Sequence, residues 1–283
     1  MRAITIIFFL FLTFPGFSQI QTPQPSPSSK LEQMVGLTDI EINYNRPSKR
    51  DRVIFGNLVP FGKIWRTGAN SSSKISFSTD VEIEGNKINK GTYSIFSIPN
   101  ENNWDFILYS VAELWGVPQD WDDKKIIHKS NHESHLFNSE EELETFTISI
   151  NNISNNDANI VIAWGDRYIE VNVDVPSREM VDSNIESVMS GSPKASDYYA
   201  AAVYYRQENI KLDVALEWIN KAMEMTESPR FFQLRQQSLI MAANGNYSDA
   251  INVAKKSLEL SKQANNEDYV KMNNDSIKEW SKK

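Results

Sequence analysis

No cysteine occurs among the 283 residues. That excludes disulfides, thiolate metal sites and a lipid-modified cysteine behind a leader. Stability must therefore come from packing. Histidine is scarce, with three in the chain, which leaves little material for a Ser-His-Asp triad. The Walker loop, the G-x-G-x-x-G fingerprint, the G-x-S-x-G elbow, H-E-x-x-H and the EF-hand loop are all absent, so the common nucleotide, hydrolase and metal chemistries have no signature here and no cofactor is expected. Eleven glycines and eleven prolines are ordinary amounts, against a fibrous or wholly disordered chain. Positive charge is in the minority, 29 Lys and Arg against 37 Asp and Glu for a net charge of -8. Nucleic acid and anionic membrane surfaces are poor partners for such a molecule.

What is present begins with a leader. Arg2 precedes the apolar run Ile4 to Phe14, Pro15 breaks it, and Gly16 and Ser18 are small. This pattern predicts a secretory signal over residues 1–18 and a mature chain from Gln19, with 28 basic against 37 acidic residues and a charge of -9. The run is too short to span a membrane, which takes about 20 apolar residues. No integral membrane segment is expected after cleavage, and the protein is expected in the periplasm or outside the cell. Residues 19–30 are rich in Pro and Ser and read as an extended, mobile linker.

From Asp39 to Val175 the dominant period is two. Ile40, Ile42 and Tyr44 alternate with polar residues, as do Ile75 and Phe77, Val81 and Ile83, and Trp104, Phe106 and Leu108. Phe146 to Ile150, Ile160 to Trp164 and Ile169 to Val175 follow the same rule, with turns marked by Gly85-Asn86, Pro99-Asn100 and Gly165-Asp166. About eight half-buried antiparallel strands without intervening helices predict an all-β sandwich or jelly-roll-like domain.

After Pro176 the period becomes helical. Ser177 is placed to cap a helix to about Met189, which Gly191-Ser192-Pro193 ends. Asp213–Met225 aligns with Ser248–Leu260 at an offset of 35 residues, pairing Ala215 with Ala250, Ile219 with Ala254, Ala222 with Ser257 and Met223 with Leu258. That spacing, with small residues at close helix crossings, resembles the tetratricopeptide repeat, although its Trp-Leu-Gly signature is missing. A last helix, Glu267 to Trp280, is expected to close the array with Val270, Ile277 and Trp280 inward. The fold class is α+β multidomain: a β-sandwich over 31–176 and a tetratricopeptide-like all-α array over 177–283.

One stretch runs against the acidic background. Between Tyr44 and Thr79 stand Arg46, Lys49, Arg50, Arg52, Lys63, Arg66 and Lys74, with Asp51 as the lone acid. Gly56, Gly62 and Gly68 allow tight turns that would gather Arg52, Arg66 and Asn70. Arginine offers a planar fork for carboxylate or phosphate. Arg46, Arg52, Arg66 and Asn70 are therefore the candidate ligand-binding residues. The competing reading is that these arginines pair with acids elsewhere and staple the loops to the sandwich.

The same stretch carries a family resemblance. Pro25–Pro27, Gln33–Gly36 (QMVG), YNRPSKRDRVIFGNLVPFGKIWRTGAN (Tyr44–Asn70) and GTYSIFSIP (Gly91–Pro99) together resemble the secreted bacterial family of unknown function numbered 2911, over about residues 25–175. The resemblance implies an exported all-β domain, sometimes followed by tetratricopeptide-like helices, and no activity. Family members usually have Gly where this chain has Asp51.

Two further clusters stand out. His128, His132 and His135 fall within eight residues, where they would share a metal ion or lie in an exposed polar loop. Trp104, Trp115 and Trp121, with Glu113, Asp120, Asp122 and Asp123, would stack on a sugar or serve as core packing beside a solvated acidic loop. Trp65 and Trp164 read as core. The function expected from all this is non-enzymatic binding: a protein partner on the helical array and an anionic or carbohydrate ligand on the basic surface. The alternative is an enzyme or carbohydrate-binding module acting on cell-envelope glycan or polymer through the Arg-rich loops.

Overall fold

The computed structural model describes residues 22–138 and 142–283. The expected signal segment lies outside the described residues. Contacts divide the chain into two compact units between Ser177 and Arg178.

The first unit is built from β1 (Ser28–Val35), β2 (Thr38–Asn45), β3 (Ser73–Phe77), β4 (Val81–Ile83), β5 (Asn86–Ile88) and β6 (Gly91–Pro99), followed by β7 (Asn103–Tyr109), β8 (Ile126–Glu133), β9 (His135–Leu136), β10 (Leu143–Asn151), β11 (Asp157–Gly165) and β12 (Arg167–Asp174). One antiparallel sheet has the order β1-β2-β3-β6-β7-β8; the other has β10-β11-β12-β4-β5, with β9 added on β12. Ile40, Ile42, Ile75, Trp104, Phe106 and Leu108 of the first sheet share one core with Phe146, Ile148, Ile160, Ile162, Val171 and Val173 of the second. This is the sandwich that the period of two predicts.

The turns follow their residues. Ile83 pairs with Asn86 across Glu84-Gly85, both at positive φ, as a two-residue hairpin loop requires. The outer face of the first sheet carries a smaller core, in which Trp121 stacks on Tyr109 at 4.6 Å and meets Phe96 edge-on.

Two expectations need correction. Strand β1 begins at Ser28 and pairs with β2 along its length, so Ser28–Lys30 are strand residues and not linker. Just before it, the Pro27 carbonyl accepts from Arg46 N at 2.9 Å. The Pro/Ser segment is tied to the sandwich at that point.

The second unit follows with α1 (Ser177–Met189), α2 (Ala195–Gln207), α3 (Leu212–Glu224), α4 (Phe231–Ala243), α5 (Tyr247–Gln263) and α6 (Glu267–Trp280). Ser177, the last residue of the first unit, opens α1 as expected, and its hydroxyl accepts from Leu37 N of that same unit at 3.0 Å. The chain leaves α2, α4 and α5 through left-handed residues, Asn209, Gly245 and Asn265, as helix ends favour. The residues aligned by the repeat do the same work: Ala215, Ile219 and Ala222 are buried on α3, and Ala250, Ala254 and Ser257 on α5. From α2 onward each helix packs on the next, and α4 also touches α2 and α6. Trp280 is buried against Ala250 and Ala254, beside Ile277. None of the helices among the described residues is long and apolar enough to cross a membrane.

Candidate functional site

The basic stretch folds into irregular loops at the end of the sandwich, and a cavity of about 400 Å³ opens among them. Its cationic lining is Arg50, Arg52 and Arg66, joined by Asn70. Trp65 and Trp164 also line it, stacked on each other at 6.0 Å and 16°. Pro25 and Ser26, expected as linker, form part of the wall.

Each group is held by identifiable contacts. Arg52 donates from Nε to Lys49 O at 2.8 Å and from Nη2 to Ser48 O at 2.5 Å. Asn70 donates to Ser26 O at 3.4 Å. Trp65 donates from Nε1 to Gly68 O at 3.1 Å, and its backbone bridges to Ser97 in both directions. Thr67 is buried and takes φ of +53°, a conformation that strains a β-branched residue. Its hydroxyl meets Ser97 Oγ at 2.9 Å, and its carbonyl accepts from Ser73 Oγ. Gly68 follows at φ +135°, where a Cβ would stand 3.1 Å from Asn45 O and Ser73 Oγ. A buried hydroxyl network thus fixes the loop that presents Arg66 and Asn70. Arg50 and Asp51 are also left-handed, at φ +48° and +44°. Glycine at position 51 would adopt that turn freely.

Among the described residues, Arg46, Arg50, Arg52 and Arg66 form no salt bridge, while neighbouring Lys49 and Lys74 do, with Glu142 and Glu113. Glu144 reaches Arg50 only at its backbone N. Arg66 keeps its Nε buried without a hydrogen-bond partner among the described residues. Such a group is costly unless something completes it.

Arg46 is not in this cavity. Its Nε donates to Phe146 O at 3.1 Å and its Nη2 to Thr147 Oγ1 at 2.8 Å. It fastens the loop to β10, as the stapling reading describes. Arg50 takes the place expected for it. Trp65 and Trp164 belong to the core, as expected, and also form the cavity's aromatic wall. Their second role has no sequence signal.

The family-model comparison matches residues 26–173, more than half of the chain, to the family described as "Protein of unknown function (DUF2911)". The chain belongs to the DUF2911 family. The matched span contains the whole arginine cavity except Pro25. Comparison with curated proteins and with solved structures returned no match. The DUF2911 family carries no assigned activity, so function has to be argued from the site.

The other clusters fare differently within the DUF2911 domain. His128 and His132 are not in a polar loop. They lie on the same face of edge strand β8 and are both buried. His132 Nε2 meets Ser130 Oγ at 2.7 Å, and its Nδ1 is 3.9 Å from Glu84. His135 sits on β9 against Tyr168. Among the described residues no group of three His, Asp or Glu could hold a metal. The three tryptophans of 104–123 do not converge either. Trp104 is in the sandwich core, Trp121 is in the outer core, and Trp115 is 82% exposed. Asp122 and Asp123 bind Lys124 N and the Trp121 indole.

Burial holds both His128 and His132 below the ordinary imidazole pKa; for His128 the neighbouring His132 lowers it further, and Glu84 opposes both shifts. These two histidines take up protons near pH 6.5 in the unfolded chain but only at lower pH in the folded one. Stability is therefore full above that value and falls as pH drops through it. The slope approaches about 1.4 kcal/mol per pH unit for each histidine that stays neutral. Urea unfolding at pH 7.5 and pH 5.5 is expected to show this loss. His128→Leu should flatten it by roughly half; an unchanged pH dependence would contradict the assignment.

Proposed function

We propose that this protein binds a small organic anion, an aromatic or ring-bearing carboxylate or phosphate, in the cavity of its DUF2911 domain. The observation that carries the reading is a cavity with three arginines and an aromatic wall in which no carboxylate answers the charge. Its volume lies in the range of small-molecule sites. The arginine forks would take the anion and the tryptophans its ring. The lining offers the hydroxyls of Ser26 and Ser48 but no carboxylate or imidazole. That supports binding over glycan hydrolysis, which needs a positioned acid and base.

The signal-like residues 1–18 support an exported protein whose ligand comes from the cell envelope or its surroundings. The helical unit, read as a tetratricopeptide-type array, would engage a protein partner, since stacked helix pairs present extended faces.

Thermal unfolding with phenyl phosphate, benzoate, inorganic phosphate and a neutral oligosaccharide tests the ligand class. A ligand at 100 times its Kd adds about 2.7 kcal/mol, and a domain this size moves about 2–4 °C per kcal/mol. The aryl anions are expected to give the largest shift and Arg66→Gln to abolish it. A shift from the neutral sugar that survives Arg66→Gln would overturn the reading.

A further inference from the structure

The helical unit holds a second pair of cations without acids. Arg206 is on α2 and Arg235 on α4, helices that touch, and α4 also touches α6. Arg235 is 9% exposed. Its Nη1 donates to Ser276 Oγ of α6 at 2.9 Å. Arg206 keeps its Nε buried with no hydrogen-bond partner among the described residues. The unit's own ion pairs use Arg178, Lys211, Lys221, Lys262 and Lys271. Among the described residues neither Arg206 nor Arg235 has a carboxylate within ion-pair reach.

The surroundings are aromatic. Tyr199 lies seven residues before Arg206 on the same face of α2, and Tyr269 and Ser276 repeat that spacing on α6. Tyr269 meets Phe231 of α4 edge-on at 4.8 Å. Burial lowers both guanidinium pKa values; the Arg206 charge lowers that of Arg235 further, while Tyr199 and Tyr269 oppose the shift at Arg206 and Arg235 respectively. Both guanidiniums thus stand on touching helices, each partly desolvated, and the charge of Arg206 bears on Arg235. A fold does not gain from that alone, because burying uncompensated charge destabilises. Strain of this kind is kept where a ligand relieves it.

We propose that the joint face of α2, α4 and α6 is an oxyanion site, with Arg206 and Arg235 as its cations, that receives a carboxylate of an acidic segment of a partner protein. Charge complementarity selects the carboxylate, and the Phe231–Tyr269 pair beside it provides apolar contact for the segment that carries it. The site is separate from the arginine cavity of the β unit and does not depend on it.

The test is thermal unfolding of the full chain, followed by the helical circular dichroism signal. The probes are a glutamate-rich peptide, succinate and inorganic phosphate. The peptide is expected to raise the Tm by several degrees, and more than either small anion. Arg206→Gln is expected to raise the Tm of the unliganded chain, because it removes the repulsion, and to weaken peptide binding at least tenfold. Arg66→Gln should leave the peptide shift intact. A structural role for Arg206 predicts the opposite sign, a lower Tm without ligand, and that result would overturn the proposal. Equal shifts with phosphate or succinate would overturn the protein-segment assignment. No shift with any probe would overturn the site.

Discussion

Gly36→Ala is expected to destabilise the β-domain by about 2–4 kcal/mol, combining a left-handed backbone penalty with overpacking. Gly36 is the final residue of the QMVG motif and half of the two-residue turn between β1 and β2, where Val35 pairs with Thr38. Its φ is +54°. A Cβ there would stand 2.1 Å from the Asn155 carbonyl and 1.8 Å from Ser177 Oγ. The serine could turn away, but the carbonyl belongs to the backbone before β11 and must move with it. Gly85 is the internal control. It has φ of +70° with nothing within 4 Å of the same built atom. Gly85→Ala should therefore cost only about 1 kcal/mol, the conformational penalty alone. Urea unfolding of both variants reads the difference. Equal costs would show that the close approach at Gly36 is not what requires glycine.

The second large effect lies under the cavity. Trp104 is fully buried. Its ring packs 4.6 Å from Phe55 and 6.4 Å from Trp65. Trp104→Ala is expected to cost about 3–5 kcal/mol through lost burial and an incompletely closed void. In this size class that is roughly 6–20 °C of Tm. The void would also loosen Trp65, so ligand affinity should fall along with stability. Trp104→Phe should be far milder. The indole Nε1 has no hydrogen-bond partner among the described residues, and deleting an unsatisfied buried donor offsets part of the lost volume. If Trp104→Phe proved as damaging as Trp104→Ala, the nitrogen would have a partner that this account lacks.

How much of this was legible in the sequence depends on how each residue is used. Strands with one apolar face, such as β2, β7 and β11, announce themselves because Ile, Trp and Phe recur at every second position. Strand β8 does not. Its inward positions are His128 and His132, polar residues buried on an edge strand, so alternation by residue type says loop. Strand β1 is also an edge, its residues alternating between exposed and half-buried along SSKLEQMV, and β5 and β9 are too short to show a period. In the helical unit the repeat was legible because close helix crossings demand small residues, and Ala215 and Ala250 recur at the spacing of the pairs.

The site was legible in kind but not in membership. A run of seven cations in an acidic chain marks a local positive field, and Arg52, Arg66 and Asn70 line one cavity. Arg46 looks the same in sequence, yet one of its acceptors is the backbone carbonyl of Phe146 and the other the Thr147 hydroxyl, 100 and 101 positions away. A backbone acceptor leaves no trace in residue identity. The same reason hid Ser26, whose carbonyl accepts from Asn70, and with it Pro25 in the wall.

The central claim is that the arginine cavity is a binding site and not a set of staples. Titrating the purified chain with phenyl phosphate while following tryptophan emission tests it most directly, because Trp65 and Trp164 line the cavity. The account predicts a saturable change whose apparent Kd weakens roughly 10–100-fold in Arg66→Gln, the effect of one charged hydrogen-bonding group, and weakens also with added salt. An emission change that is absent, or present with the same Kd in Arg66→Gln, would contradict it.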